Sequence, residues 1–196
     1  MKRIIFLGLL LAMGSQLVAQ LLDYRQGYII DKDSVKTECL VKYISDGGIS
    51  TKPLNKENGK KQTYTADEIL GYGTGYDHYV VLKNVRTKVS TNIGNSKQKF
   101  IFAKVELKGK INLYSTVLRS MSSGGYGFNY EEVFILEKLP EYPAVQLRKS
   151  KKKQLALLNE LVKDSQEASK KMGTKKLRES EIKQLIRFYN NADQTL

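Results

Sequence analysis

Cysteine, histidine and tryptophan are nearly missing from this sequence: 196 residues contain one Cys, one His and no Trp. With Cys39 alone, no disulfide can form within the chain. One His and one Cys are also too few for a zinc site unless carboxylates complete the ligand set. No G-x-S-x-G elbow or other nucleophile motif occurs. No apolar run reaches the ~18 residues of a spanning helix. Acidic residues are scarce as well, 20 against 33 Lys and Arg.

What is present begins with an address. Lys2 and Arg3 precede the apolar run "IIFLGLLLAM", and "GSQLVAQ" follows, with the small Ala19 placed for cleavage before Gln20. Residues 1–19 therefore read as a signal peptide, and the expected location is periplasmic or extracellular, with or without attachment to the envelope. No Cys stands at the new N-terminus, so lipoprotein acylation is not expected. The remaining chain keeps a formal excess of 11 positive charges. In a cytosolic protein such an excess suggests nucleic acid. In an exported one it points to an anionic envelope component or an acidic protein, with nucleic acid excluded. Oligomeric state is not legible here.

Two regions differ in period. Residues 20–140 read as short strands broken by glycine turns. In "KFIFAKVELKG", Ile101, Ala103, Val105 and Leu107 alternate with Phe102, Lys104, Glu106 and Lys108, the pattern of a half-buried strand. A hairpin is expected around Gly109, turns at "SDGGIS" and "SSGGYG", and a brief helical turn capped by Thr65 in "YTADEILGY". Cys39, in "TECLVKYI", reads as a small buried core residue. Pro140 and Pro143 are expected to end the sheet and redirect the chain. Residues 141–196 change to helical spacing, with Leu155, Leu158, Leu161 and Val162 on one stripe and Ile182, Leu185, Ile186 and Tyr189 on a second. Ser150 and Ser180 are the expected caps, and Gly173 an expected stop. The fold class that follows is α+β: an antiparallel sheet, open barrel or sandwich, then a C-terminal pair of amphipathic helices.

Three stretches carry candidate chemistry. "GYGTGYDHY", residues 71–79, spaces its glycines as G-x-G-x-G and is followed by a strand rather than a helix, with no lysine in the Walker position. It reads as a turn leading into a strand. His78 reads as a half-buried polar residue of that strand, although a hydrolase acting on envelope material with His78 as general base is the alternative. "SSGGYGFNY" sets Tyr126, Phe128 and Tyr130 at alternate positions, where they could share one face and offer rings to a carbohydrate or peptide. The third stretch, "RKSKKK", holds Arg148, Lys149, Lys151, Lys152 and Lys153. From Arg148 onward 13 basic residues meet 6 acidic ones. Such a run faces water or anions, because desolvating it is costly. No cofactor and no catalytic residue is assigned.

Taken in order, "GYIIDKDSVKTECLVKY", "YTADEILGYG", "KFIFAKVELKGKINLYS", "VFILEKL" and the closing "IRFYNN" resemble segments of the small, exported, uncharacterised β-rich proteins of Bacteroidetes-type bacteria. The resemblance implies a β-rich envelope protein with a helical tail and transfers no catalytic residue. Some relatives carry a cysteine near their last helices; this chain has none there, so a disulfide-stapled tail is not implied.

Overall fold

The computed structural model describes residues 24–44, 47–55, 59–87, 96–121 and 128–192. The expected signal peptide, the "SSGGYG" turn and Tyr126 lie outside them, as does the side chain of Phe128. The chain forms two compact units, divided between His78 and Tyr79.

In the first unit, β1 (Arg25–Ile30), β2 (Lys36–Ile44), β3 (Gly48–Lys52), β4 (Gln62–Tyr64) and β5 (Gly71–Thr74) lie in the order β5-β1-β2-β3-β4, each pair antiparallel. The β1–β2 turn is held by Asp31, whose Oδ1 accepts from the amides of Asp33 and Val35 at 2.9 Å, a short polar side chain replacing a backbone acceptor. Of the expected turn glycines, Gly47 takes a φ of 79°. Gly48 is instead buried, where a Cβ would approach the Tyr64 carbonyl oxygen to 2.9 Å. Cys39 and Val41 project from β2 into the buried layer with Ile29, Ile49 and Tyr72. Burial pushes the Cys39 thiol above its ordinary pKa, so it packs as an inert hydrophobe. Thr65 opens the turn before β5 but its hydroxyl is not the cap: Glu68 Oε2 accepts from both the Thr65 amide and its Oγ1 at 2.7 Å.

The second unit takes over along β6 (Asp77–Thr87). It continues with β7 (Ser96–Leu107), β8 (Asn112–Met121), β9 (Phe128–Lys138) and β10 (Tyr142–Gln146) as an antiparallel meander. β10 also pairs parallel with β6, Val145 opposite Arg86, which closes β6–β10 into a ring. The expected open barrel or sandwich is thus a barrel joined at a single bridge. Pro143 does not end the sheet; it lies within β10, where the register with β9 shifts between Tyr142 and Val145. A proline lacking its amide proton is tolerated at such an irregularity. Ala103, Val85 and Ile135 are fully buried in one cluster with Leu82 and Tyr114, against which Ile101 and Val105 pack, as the alternation predicted, but Phe102, expected on the open face with Lys104 and Glu106, is buried as well. Leu107 joins a different cluster, because the β7–β8 register shifts between Val105 and Leu107.

That second cluster is shared with the helices α1 (Lys151–Val162), α2 (Gln166–Met172) and α3 (Glu179–Asn191). Leu158, Leu161 and Val162 of α1 and Ile182, Leu185, Ile186 and Tyr189 of α3 pack with Ile111, Leu113 and Leu136 of the barrel. The first predicted helix is split. Ser165 accepts the amide of Ala168 at 3.2 Å and starts α2 afresh, and Gly173 ends it with a φ of 63°. Ser180 is not the cap of α3. The helix starts at Glu179, and Glu181 accepts the amide of Arg178 at 2.7 Å. No helix among the described residues is long and apolar enough to cross a membrane.

Candidate binding cleft

The glycine stretch holds no phosphate loop. Gly71 to Thr74 form β5 itself, so the expected turn is confined to Gly75, with a φ of 58°, and the fully exposed Tyr76. Gly73 and Gly27 serve close packing. A Cβ on Gly73 would lie 2.4 Å from Cε1 of Tyr28, and one on Gly27 would lie 2.0 Å from the Gly73 oxygen. His78 is exposed rather than half-buried, because it opens β6 beside that turn. Its Nδ1 stands 2.5 Å from the Tyr28 hydroxyl, and Lys36 Nζ lies 4.2 Å from the Tyr28 ring centre. Among the described residues, no three His, Cys, Asp or Glu side chains are grouped to hold a metal ion.

The basic run behaves differently. Gln146 ends β10, and the amide of Leu147 still donates to the Phe134 carbonyl at 2.8 Å. The ladder therefore carries the chain directly to Arg148 and Lys149. Ser150 is the N-cap position of α1, with no hydrogen bond from its side chain. Lys151, Lys152 and Lys153 occupy the first turn, all exposed, and no acidic residue accompanies them there. Amides without intrahelical partners give a helix N-terminus a partial positive charge. Three lysines in that turn add to it rather than cancel it.

Behind them lies a cleft of about 380 Å³, enclosed by β9, the end of β10, the start of α1 and the segment leading into α3. Phe134, Leu147 and Ile182 supply apolar lining. Arg148, Lys149, Lys176 and Arg178 supply the positive charge, and Glu131, Glu132 and Glu179 the negative. The far wall is fixed by Gln154, buried on α1. Its Nε2 donates to the Leu177 carbonyl at 3.2 Å, and its Oε1 accepts the Leu177 amide at 2.9 Å. Lys176 and Arg178 are thereby held on either side of an anchored residue.

Two of the three carboxylates are matched within the protein. Lys149 meets Glu131 at 2.8 Å, and Lys183 meets Glu179 at 2.8 Å and Glu106 at 3.0 Å. The hydrogen bond to Glu179 holds the Lys183 ammonium above its ordinary pKa. Burial opposes ionisation of Glu106, but hydrogen bonds from Lys183 and Ser115 outweigh it and hold this carboxyl below the usual range. Arg148 Nη1 donates to Gln146 Oε1 at 3.1 Å.

Of the residues singled out in the sequence, Arg148 and Lys149 therefore line the cleft, and Lys151 to Lys153 lie exposed at the adjoining helix start. Tyr130 is 57% exposed on β9. Its position shares a strand face with Glu132 and Phe134. Sequence reasoning missed Lys176, Arg178 and the apolar lining. The second basic run, "KKLR" at 175–178, was the signal available for the first two.

Comparison with protein-family models, with curated proteins and with solved structures finds no match to this chain.

Proposed function

We propose that this is an exported, non-enzymatic binding or structural protein of the cell envelope, which associates with anionic surfaces or acidic partners through its basic helical segment. The observation that carries the reading is the first turn of α1: Lys151, Lys152 and Lys153, exposed, without an acidic neighbour in the turn. A lysine cluster at a helix N-terminus works against the helix dipole. It costs stability and so needs a compensating use, which an anion supplies. The strongly positive composition adds long-range attraction.

The test is flotation with vesicles of a neutral phospholipid, with and without an anionic one, at rising salt. Binding should require the anionic lipid and weaken as the Debye length falls from ~10 Å at 0.1 M to ~3 Å at 1 M salt. The variant K151E/K152E/K153E should lose binding while its melting temperature stays level or rises, because acidic residues suit that turn. Salt-independent binding, or an unchanged triple variant, overturns the reading.

A further inference from the structure

We infer that the open face of the first unit's sheet is a platform for an acidic glycan: sugar rings laid on Tyr24 and Tyr28, with a carboxylate beside Lys42 and Lys52. The platform lies wholly within the first unit, and the inference does not rest on the Lys151–Lys153 surface. Three observations lead to it.

The first is which face is left open. Ile29, Cys39, Val41, Ile49 and Tyr72 are buried on one side of the sheet. Strand alternation turns Gln26 and Tyr28 of β1, and Glu38, Leu40 and Lys42 of β2, to the other side. Tyr28 stands opposite Glu38 and Gln26 opposite Leu40, while Lys42 faces Ser50 and Leu40 faces Lys52 across to β3. Gln26 and Glu38 are exposed, so this side meets water.

The second is the pair of rings. Tyr24 directly precedes β1, yet its hydroxyl meets Ser50 Oγ of β3 at 2.8 Å, so the ring crosses β2. Tyr28 leans the opposite way, over Gly73 of β5, and its hydroxyl reaches His78 Nδ1. Both rings thus lie across the sheet, pinned at their hydroxyls. Their backbone positions are four apart on one face, about 13 Å along the strand, the span of a short oligosaccharide. A ring offers its face to the apolar C–H side of a sugar, and a ring already fixed loses little freedom on binding.

The third is the charge beside each ring. Lys52 Nζ and Lys42 Nζ lie 4.6 Å and 5.9 Å from the Tyr24 ring centre. Among the described residues neither has a carboxylate within ion-pair distance. At Tyr28, Lys36 Nζ lies 4.2 Å from the ring centre and is answered by Glu38 at 3.3 Å. One end is therefore positive and the other balanced. The positive end suits a carboxylate. At the balanced end Glu38 can accept from sugar hydroxyls. A nucleic-acid strand also stacks on aromatic rings, but it carries a phosphate on every unit and would set one against Glu38. A glycan charged on alternate units avoids that repulsion.

The experiment is NMR titration of the purified protein with a hyaluronan hexasaccharide, charged on alternate units, with neutral chitohexaose, and with an oligothymidylate of similar length. One saturable site is expected for the hyaluronan fragment, with shifts centred on Tyr24, Gln26, Tyr28 and Lys52. Chitohexaose should bind about tenfold more weakly, and the oligothymidylate more weakly than the hyaluronan fragment. K42Q/K52Q should weaken the hyaluronan fragment about tenfold and leave chitohexaose unchanged. Tyr28→Ala should weaken both sugars; if that variant fails to fold, K42Q/K52Q carries the test alone, since it removes no buried group. No saturable binding of the hyaluronan fragment, equal affinity for chitohexaose, tighter binding of the oligothymidylate, or shifts outside this face overturns the inference. K151E/K152E/K153E should bind the hyaluronan fragment normally, which separates failure here from failure at the vesicle surface.

Discussion

Asn190 shows how much one side chain can hold. Its Oδ1 accepts the Ile111 amide and its Nδ2 donates to the Ile111 carbonyl, both at 2.9 Å, so that α3 closes over the β7–β8 hairpin. Replacement by Ala would remove both partners from a fully buried residue's backbone, at a cost of about 2–3 kcal/mol, measurable by urea denaturation. Gly109, on the same hairpin, leaves room for that amide, since a Cβ there would lie 2.4 Å from Asn190 Cγ. Gly109→Ala should therefore destabilise through the same contact, and its effect should shrink in the Asn190→Ala background. Cys39 offers a second check: buried, with its thiol pKa raised by that burial, it should react with a thiol reagent at pH 8 only as the first unit opens. Labelling at the rate of an exposed thiol would contradict its place in the core. Its burial was readable from "TECLVKYI", because strand alternation is local. The bond between His78 and Tyr28 was not readable, since those residues lie 50 positions apart.

At the level of elements, the helices are fastened to the barrel by apolar contact and by two ionic clusters. In one, Asp164 meets Lys138 at 2.8 Å and accepts from Tyr189 at 2.7 Å. Burial opposes its ionisation, yet Lys138 and Tyr189 hold its carboxyl below the ordinary value. Glu106 is held low in the other cluster. Both are carboxylates whose pKa is depressed on folding. Their contribution is present above the unfolded values of ~4 and is lost as pH falls through the lower folded values. Stability should thus decline below about pH 4. Glu106→Gln should lower stability at pH 7 and flatten that acid decline, as denaturant titrations at several pH values would show. The stripe at Ile182, Leu185, Ile186 and Tyr189 was legible because helical periodicity lies within one element. The break at Ser165 was marked only by a possible cap inside an apparently continuous amphipathic run. The cleft was half legible. Basic runs announce themselves in composition, whereas the approach of Phe134, Leu147 and Ile182 depends on contacts across the whole second unit.

At the scale of the molecule, the C-terminal helices are not an appendage to a finished barrel. Ile111, Leu113 and Leu136, all fully buried, pack against them. A chain ending at residue 147 would present those side chains to water, a contiguous apolar surface of the kind that drives association. It should aggregate or bind a hydrophobic dye strongly, and a soluble, cooperatively folded product would contradict this architecture. Any comparison of partners with and without the basic segment is therefore better made with charge reversals than with truncation. The helical reading of residues 141–196 found the two amphipathic stripes but missed that the segment opens with the strand Tyr142–Gln146 and holds three helices rather than a pair. Amphipathic stripes name no partner, and the surface that receives these, Ile111, Leu113 and Leu136, belongs to a different part of the sequence.

The ring closure has a kinetic corollary. Every other pairing in the barrel joins neighbouring strands, whereas the seam brings Arg86 to Val145. Closing so long a loop is entropically slow, so the seam should form after the hairpins, on the native side of the folding barrier. Substitutions that weaken it, such as Val145→Ala, should accelerate unfolding and leave the refolding rate nearly unchanged in stopped-flow chevrons. A slowed refolding limb would instead place closure among the first events.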